Sequence, residues 1–64
     1  MSKQEMIKQL HDRVAYNMDQ RAYYEKLRDE NPHEHSIWSE MVDWYKGKIV
    51  AFNIAIEMAE ELQS

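Results

Sequence analysis

Apolar side chains recur through the second half of the chain at alternating spacings of four and three, as Trp38, Val42, Tyr45, Ile49, Phe52, Ile56 and Ala59. Residues three and four apart stack on one side of a helix, so this repeat predicts an amphipathic helix with an apolar seam about six turns long. The first half carries a matching stripe, Ile7, Leu10 and Val14, flanked by Met6, Ala15 and Met18. Residues 3 to 30 contain neither Gly nor Pro and are rich in residue types that lose little on entering a helix, which predicts one long first helix. Beyond Val14 its stripe meets Asn17, Arg21 and Glu25, while Tyr16, Tyr23 and Leu27 gather on another side.

Asn31-Pro32-His33-Glu34 divides the two patterns. Asn is a preferred N-cap, Pro suits the first helical position because its missing N–H would be unpaired there, and Glu34 stands where a capping box is completed. Pro32 also disfavours helical geometry at Asn31, closing the first helix. The second helix is expected from about residue 32 to 62, with Ser36 as a later alternative cap. So short a turn makes the helices antiparallel neighbours. The expected fold class is therefore all-α, a two-helix antiparallel hairpin forming a single domain over residues 1–64. Folding about residue 31 sets Ile7 against Ile56, Leu10 against Phe52, Val14 against Ile49 and Tyr24 against Trp38. It brings Asn17 near Tyr45 and Arg21 near Val42 and Trp38, where a guanidinium could stack on the indole, and places Lys3 and Lys8 beside Glu57, Glu60 and Glu61.

One hairpin does not use all the apolar surface of the second helix. Ile37, Met41, Trp44, Ala51, Ala55, Met58 and Leu62 form a second stripe beside the first, and Val50 and Ile54 are apolar on the back. A helix apolar this far round is normally buried on several sides. The expectation is a homodimer in which two hairpins make a four-helix bundle, with Trp44, Ala51, Ala55, Met58 and Leu62 in self-association. Val50, Ile54, Glu40 and Asp43 are left for a different protein partner.

Composition narrows the classes. At 64 residues, a core alone gives about 3 to 5 kcal/mol, and with no cysteine a disulfide cannot add to it. The absence of thiols and of a signal-peptide pattern over residues 1 to 10 makes the cytoplasm the expected compartment. The longest apolar run, Ile49 to Ile56, is interrupted by Asn53 and far shorter than a bilayer span, so no membrane partner is expected. The formal net charge of -4 lies on the second half, where Lys46 and Lys48 face six acidic residues. That balance argues against direct nucleic-acid binding, which needs clustered Lys and Arg.

Candidate chemistry is sparse. Glu30 and His33 have the Glu-x-x-His spacing of di-metal carboxylate bundles, but the pair straddles Pro32, and His33 and His35 lack the four-residue step that puts two imidazoles on one face. Glu57, Glu60 and Glu61 read as a solvated helix end, since the residues expected opposite them are basic or apolar. No metal, cofactor or enzymatic activity is expected.

Two resemblances bear on function. Ser39-Glu40-Met41-Val42-Asp43 resembles the Ser-Gln-Glu-Leu-Asp motif of small helical-hairpin phosphatases that act on the aspartyl phosphate of sporulation response regulators. Ser39 and Asp43 are identical to the motif, Glu40 stands in place of its glutamine, and the family's glycine-containing loop before the motif is absent. The chain as a whole, particularly Tyr45 to Phe52 and Ala59 to Leu62, resembles short helical proteins of phages and prophages of Gram-positive bacteria. That second resemblance implies a small protein that binds and modulates a host protein. The expected function is a non-enzymatic protein–protein interaction module. A regulator of response-regulator phosphorylation acting through Ser39 to Asp43, or a structural subunit, are the alternatives.

Overall fold

In the computed structural model, which describes residues 2–62, two long helices lie against each other. Helix α1 spans Lys3–Glu30, Pro32–Glu34 forms a single 3-10 turn, and α2 spans His35–Glu61. Helix α1 begins at Ser2, whose Oγ accepts a hydrogen bond from the Glu5 N–H at 3.1 Å and so satisfies one of the unpaired donors of a helix start. Ser2 and Glu5 have the spacing of a capping box, which marks this helix start in the sequence itself.

The turn departs from expectation. Asn31 does not cap α2: its side chain turns back, and both its Nδ2 and its backbone N–H donate to the Leu27 carbonyl, at 2.8 and 3.0 Å. A carbonyl can only accept, so the amide nitrogen has to face it, and Asn31 serves as the C-cap of α1. With that side chain committed, the expected capping box does not form. The residues after Pro32 tighten into the 3-10 turn, and α2 starts at His35 behind Glu34, with no side-chain cap. Ser36 lies inside α2 and caps nothing.

The helices run antiparallel, since the Lys3 ammonium at the start of α1 donates to the carbonyls of Glu60 and Leu62 at the end of α2. These last carbonyls lack intrahelical partners, and the last turn of α2 has no basic residue of its own, so a cation from α1 takes that role. Lys3 thus meets backbone oxygens where carboxylates were expected. Among the described residues, Lys8 forms no ion pair with Glu57, Glu60 or Glu61.

Val42, Ile56 and Ala59 are the buried apolar residues, while Ile7, Leu10, Val14, Ile49 and Phe52 are half-buried between the helices. The expected register appears in the aromatics. Tyr24 stacks on Trp38 with ring centroids 5.9 Å apart and on Tyr45 at 5.6 Å. Arg21 does not stack on Trp38: that place is filled by Tyr24, and the guanidinium Nε lies 3.3 Å from Glu25 on its own helix. That contact does not meet hydrogen-bond geometry, so Arg21 Nε is buried with no hydrogen-bond acceptor among the described residues, and Trp38 Nε1 is a second such group. Asn17 is buried in the seam, and its amide donates to the Arg13 carbonyl at 2.7 Å.

The hairpin is a rod with Cα extents of 51 × 14 × 12 Å and a radius of gyration of 14.8 Å. A compact chain of this length would have a radius near 11 Å. Two helices side by side make a single layer, so most apolar side chains have a neighbour on one flank and water on the other.

Candidate interaction face

Seen along α2, the residues split into two seams with the same four-three rhythm. Trp38, Val42, Tyr45, Ile49, Phe52, Ile56 and Ala59 face α1. Ile37, Met41, Trp44, Ala51, Ala55, Met58 and Leu62 lie one position ahead of them, and Lys48 supplies the missing step between Trp44 and Ala51. Of this second seam, Trp44, Ala51, Met58 and Leu62 are exposed, as is Ile37, with Met58 the most open at 64%. Ala55, Met41 and Lys48 are half-buried.

Helix α1 continues the same face. Met6 and Leu10 line an apolar hollow with Ala55, Met58, Ala59 and Leu62 near the open end of the hairpin. Further along, Gln9, Asp12, Arg13, Tyr16 and Asn17 of α1 meet Lys48, Ala51 and Phe52 of α2 around a groove of about 620 Å³. Tyr16 and Tyr23 are both more than half exposed and stand seven residues apart, which keeps them on one side of α1. The tyrosines that part from the first stripe of α1 therefore belong to the face that also carries the second seam of α2.

This face is poor in acid. On α1 it follows Met6, Gln9, Arg13, Tyr16, Gln20, Tyr23 and Leu27, and on α2 the second seam, and up to Glu30 at the turn neither row contains Asp or Glu although the chain has twelve acidic residues. Its charges are Arg13 and Lys48, with Asp12 at the edge of the groove. The Lys48 ammonium sits 4.6 Å from the Trp44 ring centroid and 5.4 Å from that of Tyr45, within cation–π range. Sequence reasoning passed over both cations. The step from Trp44 through Lys48 to Ala51, and the seven-residue spacing of Met6 and Arg13, were the available signals.

Val50 and Ile54 belong to neither seam and are 57% and 51% exposed, Ile54 standing three residues from Ala51 and four from Met58. Glu40 and Asp43 are exposed, whereas Ser39 is half-buried with its hydroxyl 3.3 Å from His35 Nδ1. The phenol of Tyr45 has its pKa raised above the ordinary value of 10.0, first by burial and then by the nearby Tyr24 and Tyr16 hydroxyls. Among the described residues, no group of three or more His, Asp or Glu is placed to hold a metal ion, and no helix is long and apolar enough to cross a membrane. No protein-family model, curated protein or solved structure matches the sequence.

Proposed function

We propose that this chain is a non-enzymatic protein–protein interaction module that works by laying its acid-poor face on another helical surface. The observation that carries this reading is the second seam of α2, with Trp44, Met58 and Leu62 each more than half exposed beside Tyr16 and Tyr23. Isolated exposed apolar residues are ordinary, but exposed apolar residues recurring along one side of a helix mark a contact surface. The simplest assembly is a homodimer: two hairpins pack face to face as a four-helix bundle, with Ala51 and Ala55 allowing close approach and larger neighbours filling the flanks. In a cell, the same face serves to bind and modulate a protein of the host, as the likeness to small phage proteins implies. Val50 and Ile54, outside the two seams, remain for a further contact.

Sedimentation over a concentration series tests the assembly. Association toward twice the monomer mass at the highest concentrations, abolished by Ala51→Glu and retained in Val50→Glu, is the expected result. A monomer throughout removes the homodimer. Capture of a partner that survives Ala51→Glu but is lost with Glu40→Ala would instead favour the regulator reading centred on Ser39 to Asp43, whose Glu40 and Asp43 are exposed.

A further inference from the structure

We infer that the preferred occupant of this face is an amphipathic helix of another protein that places a carboxylate at the middle of its apolar stripe, and that a second copy of this chain binds there more weakly. The inference rests on the interaction reading above and adds the chemistry of the partner. Lys48 is the middle residue of α2, and Arg13 lines the same groove from α1. The two cations within the rows of the face therefore border one groove near the middle of the hairpin. Asp12, at the groove edge, offsets one of them and leaves a positive surplus. Among the described residues, neither cation takes part in an ion pair within 4 Å; the three such pairs present involve Arg21, Lys26 and Arg28.

Symmetry decides between the occupants. With their rods aligned for greatest overlap, two copies can meet face to face about a two-fold axis in two orientations. An axis across the rod sets α2 antiparallel on the partner α2, and full overlap then brings Lys48 onto Lys48 of the second copy. An axis along the rod sets α2 on the partner α1 at an unchanged height, which brings Lys48 onto Arg13. Each orientation confronts like charges at the centre of an apolar interface, where water is excluded and repulsion is least screened. Sliding the copies apart relieves the first case only by giving up overlap. A foreign helix has no such constraint. Its carboxylate can sit between Arg13 and Lys48 while its apolar side chains cover Met58 and Leu62 toward one end and Trp44 and Ile37 toward the other, a helix-in-groove arrangement.

The test uses the full chain and two synthetic helices about four heptads long, free of aromatic residues, with Leu and Ala at alternating four- and three-residue steps. One carries Glu at the middle seam position and the other Lys. Tryptophan fluorescence reports binding, since Trp44 is 58% exposed beside Lys48. The Glu peptide is expected to bind at least about tenfold more tightly than the Lys peptide, with the preference shrinking as salt is raised. Lys48→Glu should reverse the order. Arg13→Glu, at an exposed position, gives the same readout should the first variant lose helicity by circular dichroism. Equal binding of the two peptides, or tighter binding of the Lys peptide, overturns the inference and leaves the interaction reading intact. Failure of both peptides to bind while the chain dimerises assigns the face to a second copy and likewise overturns it. No peptide binding together with no dimer removes both the inference and the reading beneath it.

Discussion

At Tyr45 the fold works against ionisation. Burial raises the phenol pKa, and the Tyr24 and Tyr16 hydroxyls add to the effect. In the unfolded chain this tyrosine ionises near pH 10, before it does so in the folded state. Stability is therefore unaffected by this group below about pH 10 and falls as the pH rises toward the folded value, because the unfolded chain releases the proton more readily. Tyr45→Phe removes the effect. Thermal midpoints measured from pH 9 to 11.5 should fall more steeply for the wild type than for the variant, and parallel curves would show that Tyr45 does not contribute. Trp38 nearby illustrates a different cost, a buried indole N–H without an acceptor, which its stacking on Tyr24 has to outweigh.

At the scale of the helix, Gly47 interrupts an otherwise good helical sequence. A Cβ added there meets nothing within 4 Å, so the position pays the entropic penalty of glycine with no packing reason for it. Gly47→Ala should stabilise the hairpin by roughly 0.5 to 1 kcal/mol, read as a higher urea midpoint at unchanged slope. The helices themselves were legible because each carries a long periodic stripe, and the register followed because Pro32 fixes where the chain turns. The details of the turn were not legible. Asn31 can cap the helix before it or the one after it, and which it chooses depends on the Leu27 carbonyl, a backbone group that residue types do not reveal. Lys3 lies beside Glu60 as its charge implied, but the atom it meets was not legible: charge patterns point a lysine at carboxylates, whereas at a helix end the unpaired carbonyls compete for it. Of the candidate face, the α2 row was legible as a surplus stripe. Its continuation onto α1, and the cations at its centre, became visible only once the two helices were set side by side.

At the scale of the whole molecule, a single layer of two helices with Val42, Ile56 and Ala59 as its buried apolar residues has little margin of stability. Covering the exposed face then acts on folding as well as on binding, because a partner that engages only the folded hairpin shifts the folding equilibrium by mass action. The thermal midpoint of the wild-type chain is accordingly expected to climb with protein concentration, and that of Ala51→Glu to stay constant. A midpoint independent of concentration in both would mean that the face remains uncovered by other copies.

The two rows of α2 share a helix but not a residue. Val42, Ile56 and Ala59, which hold the hairpin shut, belong to one row, and Trp44, Ala51, Met58 and Leu62, which face outward, belong to the other. Changes at the exposed members of the outer row, such as Trp44 and Ala51, therefore leave the buried residues that close the hairpin in place. The fold behaves as a two-sided ruler whose inner edge keeps the length while its outer edge is free to be re-marked.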